Sequence, residues 1–405
     1  MWEEFEPLID HRGLASGRDR FRPQSAKTLG VPSFSFAETD FKIPRHMQRA
    51  FRRLIDRGFC GYTVADDPTY LQAIVSWMKK RRNWEVQQEW IIPVYGVLRT
   101  MSMALRAFSR PGEGVIIFSP GYTAYEGLIE ENGRSLVRCP LRIGLNRFLI
   151  DWDDLEKKMS VPQNTMLFLC NAHNPTMHVW PQEDLRRIAV LSQKYNVAVI
   201  VDETFADLCF PESPMTNYGA IAYGQPHCMI INALSKAFNI TGLNTANAIL
   251  PDEQMRRRFM EVFRAEQRGS GSIEPFAREA LLSGYSDEGF AWLQRLFAYV
   301  KENFTLTEQF FAEQMPQVKI YHYDCAYLIW TDWRALGLSE AELEHFLMEE
   351  AVFCVDMGYK YGPEGQGFAR IHLGTSHANV QAGLQRLEQA ARRRGWISTE
   401  GARTK

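Results

Sequence analysis

Between about residue 45 and residue 250, helix-like patterns alternate with short apolar runs. The runs are Val115-Ile-Ile-Phe118, Met166-Leu-Phe-Leu-Cys170, Val197-Ala-Val-Ile-Val201, Cys228-Met-Ile-Ile231 and Ala246-Asn-Ala-Ile-Leu250. A strand that stays apolar instead of alternating is covered on both faces. The pattern therefore predicts a mostly parallel sheet flanked by helices. Intervening helices are expected from Tyr70 to Arg82, with Leu71, Ile74, Val75 and Met78 on one side, and from Gln182 to Tyr195 between Pro181 and Asn196. After about residue 285 the pattern changes. A long helix from Glu288 to Gln314 leads to Val318-Lys-Ile-Tyr321 and Ala326-Tyr-Leu-Ile-Trp330, then a helix over Glu340 to Glu350, a strand-like Phe368-Ala-Arg-Ile-His-Leu373 and a helix from Asn379 to Arg393. The fold class is thus α/β, a large domain with a mostly parallel sheet, plus a smaller α+β domain. Residues 1–44 form an N-terminal segment expected to pack with the small domain, 45–285 the large domain and 286–405 the small one; Ser398 to Lys405 read as a frayed tail.

Composition narrows the possibilities. The chain has 405 residues, 45% hydrophobic and 12% aromatic, enough for a large core and two domains. A formal net charge of −2 gives no electrostatic argument for nucleic acid or a membrane surface. The basic clusters Lys79–Arg82, Arg256–Arg258 and Arg392–Arg394 lie in or beside helical patterns and read as solvated helix faces. The seven cysteines are dispersed, odd in number and without metal-ligand spacing, so they read as reduced core residues and no metal site is expected. The N-terminus lacks the regions of a signal peptide, and no apolar stretch reaches membrane-spanning length. A cytoplasmic protein is expected.

Candidate chemistry then comes from strand ends. Asn174-Pro175 follows one apolar run, Asp202-Glu203 a second and Lys236 a third. In open α/β sheets ligands sit beyond the carboxyl ends of the strands, where all three residues fall. An amide, a carboxylate and an amine are what is needed to hold a pyridoxal phosphate ring and bond it covalently. Taken singly each has a bland alternative: a solvated lysine, a helix-capping carboxylate.

Asn171-Ala-His-Asn-Pro-Thr176, Val201-Asp-Glu-Thr-Phe-Ala-Asp-Leu208 and Ser235-Lys-Ala-Phe-Asn-Ile-Thr-Gly-Leu243 resemble the motifs of fold-type I pyridoxal-phosphate enzymes, the aspartate aminotransferase superfamily. With Thr39-Asp-Phe41 and Gly61-Tyr-Thr63, the chain looks most like the cystathionine β-lyase-like carbon–sulfur lyases of the maltose-regulator branch, from about residue 35 to residue 390. The resemblance implies pyridoxal 5'-phosphate as cofactor, Lys236 as Schiff-base residue and proton shuttle, Asp202 against the ring nitrogen and Asn174 on the ring oxygen. It implies Tyr122 over the ring, although by pattern alone Tyr122 is an ordinary aromatic at a helix start. Ser235 and the helix opening at Gly96-Val97-Leu98 would hold the phosphate, since backbone amides at a helix N-terminus suit a dianion. Arg370 matches the arginine that clamps the substrate carboxylate, with Ala37 adding a backbone contact; Tyr62 would reach a neighbouring subunit's site in a homodimer.

Two positions depart from this pattern. Phe205 stands three residues after Asp202, where relatives carry histidine or tyrosine, and it offers no hydrogen bond beside the ring oxygen. After Asn-Pro the chain reads Thr176-Met-His178 in place of a glycine-containing turn, which predicts a different turn, because methionine disfavours positive φ. Both suggest altered substrate chemistry, such as a specialised biosynthetic step. The expected activity is β-elimination from an amino acid substrate. Alternatives are an aminotransferase, another reaction at the α- or γ-carbon such as cyclisation, and a non-enzymatic effector-binding module. Substrate side-chain contacts are expected from the N-terminal segment, Tyr122-Thr-Ala-Tyr125 and the neighbouring subunit.

Overall fold

A computed structural model describes residues 2–6, 8–11, 13–20, 22–222, 227–266 and 273–397, so the tail from Ser398 to Lys405 lies outside the described residues. A seven-stranded sheet forms the centre of the large domain. Its strands are β1 (Ile91–Val94), β2 (Gly114–Ser119), β3 (Ser135–Pro140), β4 (Asn164–Cys170), β5 (Ala198–Asp202), β6 (Cys228–Asn232) and β7 (Ala246–Ile249), in the spatial order β1-β7-β6-β5-β4-β2-β3. The pairs from β3 to β6 are parallel. The run at Ala246 joins the same sheet but antiparallel to β6, and β1 pairs antiparallel beyond it. Every residue of β2, β5 and β6 is buried, which is why their sequences do not alternate.

The helix pattern follows local signals closely. The helix Pro68–Arg82 opens with the Asp67 side chain accepting from the Thr69 N–H at 3.0 Å and ends at Asn83 in the left-handed conformation, φ 48°. Gln182–Tyr195 runs as expected from Pro181 to Asn196, φ 55°. The long helix spans Asp287–Gln314, with Ser286 accepting from the Gly289 N–H at 3.0 Å. Its aromatic side receives Phe238 from the Lys236 segment, ring centroid 5.7 Å from Trp292, and Phe5 and Phe41 from the N-terminal segment, each 5.2 Å from Tyr299. Beyond it lies a four-stranded antiparallel sheet of β8 (Lys319–Ile320), β9 (Leu328–Asp332), β10 (Asp356–Met357) and β11 (Phe368–His372), in the order β8-β9-β11-β10. The helix expected over Glu340 to Glu350 is α-helical to His345 and then widens to a π-helical turn over Phe346–Glu350.

The N-terminal residues are tied to this second sheet. The Phe34 N–H donates to the Cys354 carbonyl at 2.7 Å, and the His372 N–H to the Phe34 carbonyl at 2.9 Å. Arg18 donates to the Asp40 carboxylate at 2.6 Å and to the Glu38 carbonyl at 2.8 Å. Burial opposes ionisation of Asp40, yet Arg18 and its other neighbours hold its carboxyl down at about 2.

Two expectations need correction. Arg82 is not part of a solvated helix face. Its guanidinium is buried on Asp207, which also accepts from Trp77 Nε1 at 2.8 Å and the Tyr285 hydroxyl at 3.1 Å. The cysteines are all free, but Cys60 is exposed and is no core residue. No helix among the described residues is long and apolar enough to cross a membrane. Arg82→Met would leave the Asp207 charge buried without its ion partner and is expected to cost about 3 kcal/mol in chemical denaturation. Lys80→Met, at an exposed position on the same turn, should stay within about 0.5 kcal/mol.

Candidate active site

Parallel pairing decides where the site forms. In register, Cys170 stands opposite Asp202, and Asp202 opposite Ile231. The three strands therefore end level, and the segments beyond them bring Asn174, Asp202 and Lys236 into the wall of one cavity of about 820 Å³. Ser235, Tyr122 and Phe205 line the same cavity, as do Gly96, Val97 and Leu98 at the start of the helix Val97–Phe108. From the small-domain side come Arg370 on β11 and Ala37 in the N-terminal segment. Tyr62 is the exception. It is 85% exposed and is not brought into the cavity of its own chain.

The polar groups of the site are held from behind. Asp202 is buried; one oxygen accepts from the Tyr125 hydroxyl at 2.7 Å, the other from the Thr204 N–H at 3.0 Å and from the Thr204 hydroxyl. Three donors keep a desolvated carboxylate in place. Arg370 is buried as well. It donates through Nη1 to Asn174 Oδ1 at 2.8 Å, which leaves the Asn174 amide N–H groups as the donors available to the cavity. Desolvation lowers the Lys236 amine to about 8, with Arg370 adding to the fall and Glu38 and Asp202 opposing it. Its Nζ lies 3.4 Å from Thr241 Oγ1. Burial, with Asp202 nearby, raises the Tyr122 phenol, so its hydroxyl stays neutral. Phe205 contributes an apolar side chain to the cavity wall.

The turn after Asn-Pro does not differ in the way its sequence predicts. Met177 keeps the left-handed conformation, φ 55°, that a glycine adopts freely. That conformation costs a non-glycine residue roughly 1–2 kcal/mol. Tertiary contacts hold it: the Met177 side chain is fully buried, its N–H donates to the His173 carbonyl at 2.7 Å, and its carbonyl accepts from the Asp324 N–H at 2.7 Å. Thr176 Oγ1 sits between the Nδ1 atoms of His173 and His178, at 2.8 and 2.7 Å. Burial holds both imidazoles neutral, His173 at about 3 and His178 well below its usual range. Met177 and His178 do not line the cavity, so they support the Asn174 turn from below and give no direct route to altered substrate chemistry.

Tyr125, expected to touch substrate, instead lies buried behind Asp202. Among the residues that sequence reasoning missed are Thr204, Asp356 and Tyr361, all in the cavity wall. Thr204 carried a signal, a hydroxyl two residues beyond a strand-end carboxylate, which is a common local hydrogen-bond spacing. Asp356 and Tyr361 carried none, because Asp356 meets Arg370 through strand pairing and Tyr361 meets it from the helical turn Gly358–Tyr361 that follows.

The donor set fits pyridoxal phosphate. Gly96 caps the helix Val97–Phe108 at φ 79° with no side chain bonded over the helix start. The first N–H groups of that twelve-residue helix thus have no partner within the helix, as an anion site requires. Ser235 adds a hydroxyl, Asp202 a fixed carboxylate and Lys236 an amine that loses its proton more easily than an ordinary lysine.

Comparison with known proteins agrees with this reading. Residues 28–387 match the model of the family described as aminotransferase class I and II. The chain is 36% identical over 355 residues to cystathionine beta-lyase PatB of Bacillus subtilis, covering 87% of this chain and 91% of that protein. It is 26% identical to Protein MalY of Escherichia coli, over 96% and 99% of the two chains. The crystal structure of cystalysin from Treponema denticola, which contains a pyridoxal 5'-phosphate cofactor, superposes with a TM-score of 0.89 at 28% identity, covering 96% of this chain and 98% of that one.

The lowered Lys236 value has a direct consequence. In cofactor-free protein, aldehyde addition to Lys236 should rise with pH and level off above about 8, because only the neutral amine reacts. Mass-spectrometric labelling after reduction reads this directly; a rise continuing towards the range of an ordinary lysine would count against it.

Proposed function

The chain belongs to the aminotransferase class I and II family, and from that premise we propose that it is a pyridoxal-phosphate-dependent carbon–sulfur β-lyase acting on a cysteine-derived amino acid. The observation that carries the reading is the meeting of Lys236, Asp202 and Arg370 in one cavity. Relatives named cystathionine beta-lyase support the choice of elimination.

When bound, the cofactor supplies an electron-withdrawing ring that accepts the electron pair left on the substrate α-carbon. This chain's residues do the rest. Lys236 would anchor the cofactor through Nζ, and Asp202 would pair with the ring nitrogen, where its negative charge would favour the protonated form. The Asn174 amide would donate to the ring oxygen, Tyr122 would stack on the ring, and Phe205, which has no donor, would leave that task to Asn174. Ser235 and the amides of Gly96, Val97 and Leu98 would hold the phosphate. Arg370 takes the substrate carboxylate, with Ala37 beside it. Lys236, with an amine near 8, is a base of suitable strength for the α-proton. Departure of the β-thiolate then leads, after hydrolysis, to pyruvate and ammonia.

The reading extends to the assembly. Residues 45–285 would form the cofactor domain, and 286–405 a small domain with residues 1–44 packed on it. Tyr62, exposed in the single chain, would complete the site of a partner subunit in a homodimer. A cytoplasmic setting, away from nucleic acid and membranes, accords with the net charge of −2 and the free cysteines.

Incubation with L-cystathionine should release pyruvate, followed by coupled reduction; amine transfer to the cofactor without pyruvate would sink the lyase reading. Lys236→Ala should abolish the absorption of the bound cofactor near the visible and lower turnover by at least about 100-fold. Arg370→Lys should raise KM about tenfold or more, because a point charge cannot reproduce two parallel hydrogen bonds, while kcat falls less.

A further inference from the structure

Arg370 is fixed on three sides. Its Nε and Nη2 donate to Asp356 Oδ2 at 3.2 and 2.5 Å, its Nη1 donates to Asn174, and its Cζ lies 5.0 Å from the centre of the Tyr361 ring. Strand register enforces the first contact, since Asp356 on β10 stands directly opposite Arg370 on β11. The same Asp356 oxygen accepts the Phe36 N–H at 3.0 Å. Phe36 holds φ 65°, a left-handed conformation costly for an aromatic residue, and Ala37 follows it into the cavity wall.

We infer that Asp356 is the positioning residue of the substrate-carboxylate subsite: one of its oxygens sets both the rotation of the Arg370 guanidinium and the path of the Phe36–Ala37 backbone. The inference rests on Arg370 being the carboxylate clamp. A guanidinium has five N–H groups in a rigid plane. Asp356 takes the Nε and Nη2 edge and Asn174 takes one N–H of Nη1. One N–H then remains on each terminal nitrogen, and a substrate carboxylate is received there and not along the side edge. Without Asp356 the side edge opens, the guanidinium can turn, and Phe36 loses the acceptor of its N–H. The charge of Asp356 works against anion binding, so its value lies in geometry. An acceptor without charge should serve as well.

The test measures the carboxylate's contribution by calorimetry on the cofactor-loaded protein, comparing 3-(methylthio)propionate with 3-(methylthio)propan-1-ol. The native protein should prefer the acid. Asp356→Asn keeps the acceptor oxygen and should retain that preference within about twofold, whereas Asp356→Ala should reduce it about tenfold, the scale of one charge-assisted hydrogen bond. With L-cystathionine, Asp356→Ala should raise KM by a similar factor and leave kcat within about threefold. An unchanged acid preference in Asp356→Ala, with only a lower melting temperature, overturns the inference. So does a loss as large in Asp356→Asn as in Asp356→Ala. A native protein that does not distinguish acid from alcohol overturns the clamp role of Arg370 itself, and the inference with it. Should Asp356→Ala not fold, Asp356→Ser removes the same oxygen and is read by the same measurements.

Discussion

Everything at the site depends on parallel pairing of β4, β5 and β6. These strands are neighbours in space, are sealed by apolar side chains on both faces, and end level because Cys170, Asp202 and Ile231 lie in register. A slip of one residue would turn each buried side chain to the opposite face of the sheet. Burial thus fixes the register, and the register fixes the relative positions of an amide, a carboxylate and an amine that lie far apart along the chain.

That arrangement places charges where water is scarce, and each is compensated locally. Asp202 has Tyr125 and Thr204, Arg370 has Asp356 and Asn174, and Arg82 has Asp207 further below. Unpaired, any of these groups would cost several kcal/mol, on the order of a large part of a domain's net stability. Lys236 is the deliberate exception. Among the described residues its amine has a long contact to Thr241, 3.4 Å, and desolvation shifts it towards the neutral, reactive form. The same protein interior that stabilises paired charges activates the amine left without a close partner.

The small domain and the N-terminal segment complete the cavity by backbone pairing, antiparallel within the small sheet and parallel at the Phe34–Val355 bridge, and by aromatic packing. The long helix Asp287–Gln314 carries Trp292 and Tyr299 between the Lys236 segment and the N-terminal aromatic residues. Arg370 and Ala37 thereby meet residues of the large domain from the other side of the cavity. The Met177 turn shows the same dependence on context. Local preference favours glycine at φ 55°, but full burial and backbone hydrogen bonds hold a methionine there.

The sequence by itself determined five of the seven strands of the large sheet, missing β1 and β3, together with the long helices and the polar residues that stand at strand ends. Uniformly apolar runs marked buried strands, caps marked the helices, and Asn174, Asp202 and Lys236 were legible because strand ends are local features. Gly96 came from the family resemblance, and the structure places it at the start of the helix Val97–Phe108. What only the tertiary structure decided was pairing: the antiparallel turn of β7, the burial of Arg82 on Asp207, Tyr125 behind Asp202, and Asp356 beside Arg370. The last two residues are separated by only fourteen positions, yet nothing in that spacing announces the contact. Local patterns record which backbone conformation a segment prefers and which face it buries. They do not record which distant segment will cover that face, and a charge acquires its role only from the neighbour it meets there.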